Sequence, residues 1–309
     1  VKFFYAHSYN LGRGLPVRAV HGFVLDRPSR TRAQLIEQHG VDVDAFVSPE
    51  PVPLSQFAGL HTDGLLAALQ GSSGVARAVE MPVLKFLPSR FTYGAVTAPQ
   101  LAAAAGTKAA MLAAADGAWC VNLSGGFHHA RPDLAHGFCL LNDVALGVAA
   151  LRARGLSRRI AIIDLDAHQG DGNAAAFAGD DDVVTLSVHE EALFPRPKLK
   201  STIDVGVPSH LDDDAYLAYV DAALNVLARQ SGGRTFELVV YIAGVDPHVR
   251  DPLSSLRVSA SGLVRRDERV ARFAKEHGAG FVMLPAGGYT QESPVLSAAG
   301  MHAAAQLAP

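Results

Sequence analysis

Asp166 and His168 are two residues apart, so in an extended segment their side chains leave the same face and reach a single ion. Asp246 offers a third ligand from a distant part of the chain. Two carboxylates and one imidazole leave a position open for water or substrate, the pattern of a catalytic rather than a structural zinc site. Iron(II) accepts the same donors, so the set points to Zn2+ with Fe2+ as the alternative. Taken alone, an Asp-x-Asp-x-His run is more commonly a turn capped by aspartate side chains, and adjacent histidines are more commonly surface groups. Together they read differently. His128 and His129 follow Gly125-Gly126, a turn that lets backbone approach a ligand. Asp164 and Asp171 lie outside the ligand set and are available to orient the two rings, which fixes the tautomer and basicity that proton transfer needs.

These residues have to be held by something rigid. Five apolar, β-branched runs read as buried parallel strands: 119–123, 160–165, 183–188, 238–243 and 281–284. Helical spacing lies between them at 142–153, 212–228 and 263–277, and earlier at 30–39 and 97–115, with Gly40 and Gly278 as stops. The Pro- and Gly-rich stretch 47–91 reads as loops around shorter helices. The alternation implies βαβ units. In such sheets ligands bind beyond the carboxyl ends of the strands, and that is where the histidine pair, the Asp166/His168 run, Gly244-Val245-Asp246 and Gly287-Gly288-Tyr289 fall.

Bulk properties fit an α/β enzyme. The 309 residues are 49% hydrophobic and 18% charged, the balance of a compact protein rather than a disordered one. A net charge of -3 with no basic stripe argues against nucleic acid as a partner. Two cysteines, Cys120 and Cys139, make no disulfide framework, the first five residues lack a signal-peptide pattern, and no stretch is apolar enough to span a bilayer. A cytoplasmic location is expected. Without a repeat or a low-complexity linker, the reading is one catalytic domain over residues 1–309.

From the histidine dyad through Asn142-Asp143, the Asp-x-Asp-x-His-x-Gly-Asp-Gly run and Ala243-Gly244-Val245-Asp246 to Gly287-Gly288-Tyr289, the chain resembles the histone deacetylase superfamily. Residues 162–170, 263–268 and Phe86-Leu87-Pro88 are most similar to its class IV branch. The resemblance implies an arginase/deacetylase-like three-layer fold, a central mainly parallel sheet flanked by helices. It implies Asp166, His168 and Asp246 as zinc ligands, and Tyr289 as the hydroxyl facing the substrate carbonyl. It pairs His129 with Asp171 and His128 with Asp164. It further implies a structural monovalent cation, K+, at Asp164, Asp166, His168, Ser187 and Val188. Gly137, Phe138, Phe194 and Leu253 match walls of a substrate tunnel, although Phe and Leu are also ordinary core residues.

The implied reaction is metal-assisted amide hydrolysis, removal of an acetyl or longer fatty acyl group from a lysine side-chain nitrogen in a protein or peptide. His129 serves as base and His128 as electrostatic support. Pro247-His248-Val249-Arg250 and Ala286 depart from the class IV pattern and leave acetylpolyamines or other small N-acyl amines as the alternative. Glu80 and Glu190 are placed near the mouth, where carboxylates attract a cationic amine. An arginase-type ureohydrolase needs a second Asp two positions after Asp246, where this chain has His248. A non-catalytic acyl-ligand sensor has no use for an intact Tyr289 and histidine dyad.

Overall fold

In the computed structural model, which describes residues 1–12, 24–156, 158–230 and 235–309, the apolar runs become strands of one sheet. The strands are Lys2–Phe4 (β1), Phe46–Val47 (β2), Trp119–Asn122 (β3), Ile160–Asp164 (β4), Val183–Glu190 (β5), Ile203–Val207 (β6), Leu238–Ile242 (β7) and Gly280–Leu284 (β8). Their order is β2-β1-β3-β8-β7-β4-β5-β6, and every pairing is parallel. The five expected strands form at the five β-branched apolar runs read from the sequence. β1, β2 and β6 were not expected: the first two are very short, and β6, at the sheet edge, buries only Ile203 and Val207.

Successive residues of a strand face opposite sides, and the central strands are apolar on both. Ala161 and Ile163 of β4 enter one cluster while Ile160 and Ile162 enter the other. Two buried faces require two helical layers. The first contains Arg27–Glu37 (α1), Asp213–Gln230 (α8), Ala260–Glu276 (α9) and Ser293–Gln306 (α10). The second is built on Ala98–Ala114 (α5) and Asp143–Ala153 (α6). Shorter helices, Asp63–Ala68 (α2), Ser72–Ala78 (α3), Ser89–Thr92 (α4) and Asp171–Ala176 (α7), complete the set. The front segment holding α2 to α4 forms a third apolar cluster with Leu140, Leu141 and Leu146. This is the parallel three-layer α/β architecture that the motif pattern implies.

Helix ends follow local chemistry. α9 begins where the Ser259 hydroxyl accepts from the Gly262 N–H and ends before Gly278 at φ 62°. α6 begins where the Asn142 side chain accepts from the Ala145 N–H. α10 was missed because its apolar residues are spread around the helix, so it lacks the one-sided stripe that marks a surface helix.

β3, β8, β7 and β4 are neighbours in the sheet, so the residues after them share one rim. Arg266 of α9, wholly buried, ties two of these strand ends together. Its Nη1 donates to the carbonyls of Leu165 (3.1 Å) and Gly244 (2.6 Å), and its Nε donates to Asp267 at 2.9 Å. Asp267 also accepts from the Tyr241 hydroxyl at 2.5 Å. Removing one member of a buried pair strands the other charge, a loss of about 3–5 kcal/mol. Arg266→Met is expected to lower unfolding free energy in urea by about that amount; a change within about 0.5 kcal/mol would show that the pair does not contribute.

Candidate active site

Past the end of β4, Asp166 and His168 turn toward Asp246, which follows β7. The three side chains are buried, with ligand atoms within 4.8 Å of one another, and they are the one such His/Cys/Asp/Glu group among the described residues. Backbone groups aim them. Asp166 Oδ2 accepts from the Gly287 N–H (2.8 Å), and Asp246 Oδ1 accepts from the Ala167 N–H (3.0 Å). A Cβ on Gly287 would lie 2.5 Å from Asp166 Oδ2 and 2.6 Å from Asp246 Oδ2, so only glycine leaves space there.

Two carboxylates this close and this dry call for a cation. Burial and the charge of Asp166 push Asp246 up to about 7. His168 Nδ1 lies 3.1 Å from Asp166 Oδ1 and 2.9 Å from Asp246 Oδ2; burial lowers its pKa, but the two carboxylates prevail and hold it up to about 10. The donor set, the burial and the excess negative charge fit a divalent ion, which takes carboxylates and neutral imidazole as ligands.

The histidine pair follows β3. Nδ1 of His128 is 2.8 Å from Asp164 Oδ2, and Nδ1 of His129 is 2.8 Å from Asp171 Oδ1. The turn beneath them is fixed by Asp143, which is fully buried and accepts from the N–H groups of Gly126 and Phe127, each at 2.8 Å. The ring centroids are 4.0 Å apart, so the two cannot readily both be charged. Burial opposes charge on His128, but Asp164 and Asp166 raise it to about 9. Burial and the neighbouring His128 lower His129 to about 3 despite Asp171. The two rings are thus pushed in opposite directions, His128 toward the charged form and His129 toward the neutral one.

A cavity of about 290 Å3 reaches the site and is lined by Glu80, His129, Gly137, Phe138, His168, Leu193, Phe194, Leu253 and Tyr289. All four tunnel residues named from the sequence thus line one cavity with His129, His168 and Tyr289. Gly137 sits at φ 53°, and a Cβ there would come 2.6 Å from His129 Cδ2 and 3.0 Å from Phe194 Cε1. Tyr289 is held by its N–H to Asp251 Oδ2 at 2.7 Å, and its ring stands at 89° to that of His168 with centroids 6.5 Å apart. Burial and the charges of Asp166 and Asp246 push its pKa well above 10, so it remains a neutral O–H donor. Its loop is anchored by Arg27, which donates to the carbonyls of Ala286 (2.7 Å) and Pro285 (3.2 Å).

Glu80 lies at the cavity, whereas Glu190 does not. Glu190 is buried, and its carboxylate accepts from the Ser209 hydroxyl (2.5 Å), the Ser254 hydroxyl (3.2 Å) and the Ser255 N–H (2.9 Å). It extends β5 and ties loops together, a role its sequence context does not signal. Of the residues expected at a monovalent cation, Asp164 pairs with Ser187 across β4 and β5, and Val188 follows on β5. The Ser187 hydroxyl is 2.9 Å from His189 Nδ1. Sequence reasoning passed over Gln169, whose amide clamps Leu199 (2.6 Å to its carbonyl, 2.9 Å from its N–H) and so secures the segment that carries Phe194. It also passed over His136, beside Asp171. No spacing rule marks either of them.

Fold and site define a deacetylase-type α/β protein with a buried Asp-His-Asp cluster at its strand ends. Residues 21–305 match the histone deacetylase domain, and the chain belongs to that family. Histone deacetylase 2 of Arabidopsis thaliana is 32% identical over 296 residues, 95% of this chain and 76% of that protein. The acetoin utilization protein AcuC of Staphylococcus aureus (strain MRSA252) is 31% identical over 181 residues, 54% of this chain and 46% of that one. The acetylpolyamine aminohydrolase of Burkholderia pseudomallei shares the fold, with a TM-score of 0.75 at 21% identity over 99% of this chain and 98% of its own. No helix among the described residues is long and apolar enough to cross a membrane.

His61 closes the loop that carries the dyad. Its Nδ1–H donates to the Arg131 carbonyl (2.9 Å) and its Nε2 accepts the Asn142 N–H (3.0 Å), an arrangement only the neutral ring makes. Burial holds its pKa below the ordinary 6.5. A histidine depressed in this way contributes stability that is fully present above its unfolded pKa and is lost as pH falls through that value toward the folded one. His61→Gln keeps a donor and an acceptor but does not titrate. Between about pH 7.5 and about pH 5.5 the wild type is expected to lose more urea resistance than this variant; parallel losses would contradict the assignment.

Proposed function

We propose that residues 1–309 act as a single zinc-dependent amidohydrolase that removes an acetyl or longer acyl group from the lysine side-chain nitrogen of proteins or peptides in the cytoplasm. The observation that carries this reading is one cavity bringing His129, His168 and Tyr289 to the same place. Asp166, His168 and Asp246 hold the divalent ion, with Fe2+ as the alternative to Zn2+. When bound, the ion supplies a Lewis acid that polarises the amide carbonyl and acidifies water.

The protein's own groups do the rest. His129 is neutral, and its Nδ1 is committed to Asp171, so Nε2 takes the proton of the attacking water and returns it to the leaving amine. His128 carries positive charge that stabilises the negative charge developing on the former carbonyl oxygen. The Tyr289 hydroxyl donates to that oxygen. Phe138 and Phe194 flank the acyl-lysine stem, while Gly137 and Leu253 complete the wall. A structural K+ at Asp164, Asp166, His168, Ser187 and Val188 would brace β4 against β5.

An acetylated polyamine is the second reading. Glu80, exposed at the cavity, offers a carboxylate to a distal ammonium. A panel of acetyl-, octanoyl- and myristoyl-lysine peptides and acetylated polyamines separates the two. At least one is expected to turn over, with turnover abolished by chelator and lowered roughly 100-fold to 1,000-fold by Tyr289→Phe. Chelator-resistant turnover, or equal rates with and without the tyrosine hydroxyl, would overturn the mechanism.

A further inference from the structure

Asp171 stands between two imidazoles. Its Oδ1 meets Nδ1 of His129 at 2.8 Å, and its Oδ2 lies 2.9 Å from Nε2 of His136. The His136 N–H is not lined up with that oxygen, yet neither atom has another hydrogen-bonding partner among the described residues. His136 also stands edge-on to Phe194, at 5.1 Å and 68°, and Phe194 stands edge-on to His129, at 4.9 Å and 75°. The Asp171 side chain is 1% exposed and that of His136 is 19% exposed, so the carboxylate is dry while the second ring partly reaches solvent.

We propose that His136 is a positioning residue for the acid–base step, acting on His129 through Asp171. This rests on reading His129 as the base. A carboxylate met at one oxygen can turn about its Cβ–Cγ bond; with the His136 ring nitrogen 2.9 Å from Oδ2 as an electrostatic and steric stop, it keeps Oδ1 on the Nδ1–H of His129. That hydrogen bond is what leaves Nε2 unprotonated and directed at the cavity. The ring of His136 also braces Phe194, so the same residue links the orientation of the base to the wall beside it. Outer partners of this kind carry about 10-fold to 100-fold in activity where they orient a histidine.

The test uses the metal-loaded protein, His136→Phe, which keeps the ring packing without nitrogen, and His136→Gln, which restores an N–H. His136→Phe is expected to lower kcat about 10-fold with KM changed by less than about twofold, and His136→Gln is expected to recover most of the loss. In 15N-histidine spectra of the chelator-treated protein, the His129 Nδ1–H signature, assigned with His129→Ala, is expected to weaken in His136→Phe and return in His136→Gln. Unchanged kcat and spectra in His136→Phe would overturn the proposal, as would a change in KM alone, which would make His136 a wall residue. If the wild type turns over no acyl amine, the proposed function fails, while the spectra still decide whether His136 fixes the His129 tautomer.

Discussion

Two buried carboxylates held side by side are the constraint from which the rest of this structure follows. Asp166 and Asp246 come from neighbouring strand ends, and with no positive charge between them their burial is unfavourable by several kcal/mol. The surrounding elements make the arrangement tolerable. Gly287 and Ala167 each give one carboxylate a backbone N–H, and His168 brings a proton that a bound metal ion would displace. Arg266 supports the carbonyls of Leu165 and Gly244 from beneath. The glycines at 244 and 287 leave no space for a side chain that would push the carboxylates apart.

The same crowding divides labour between the two histidines. They sit at equal distances from their own aspartates, yet His128 also feels Asp166 while His129 does not gain a second carboxylate of that kind. Geometry alone would make them equivalent. Electrostatics pushes His128 toward the cation and His129 toward the neutral ring, the separation of pKa values by which paired groups acquire distinct roles.

The walls are anchored to the same frame as the chemistry. Gly137 leaves no room for a side chain beside His129, Gln169 follows His168 and grips the segment bearing Phe194, and Arg27 of α1 holds the loop that ends in Tyr289. The cavity therefore has little freedom to change shape without moving a residue of the site.

The parallel sheet, its five central strands and the residues at their ends were legible because each depends on local pattern: apolar runs too continuous for a surface strand, and Gly, Asp and His clustered where those runs stop. The short β1 and β2 escaped because they owe their existence to neighbours that complete their hydrogen bonding, and the longer α10 escaped because its apolar residues are spread around the helix. Sequence alone determined which residue types stand ready for a metal and a base, because spacing along one strand and motif order along the chain fix them. Tertiary structure alone decided that Glu190 is a buried clasp, that Asp171 faces His136 as well as His129, and that His128 and His129 are pushed in opposite directions. These depend on distances between segments far apart in the chain and on the loss of water around them, and neither is written in the order of residues.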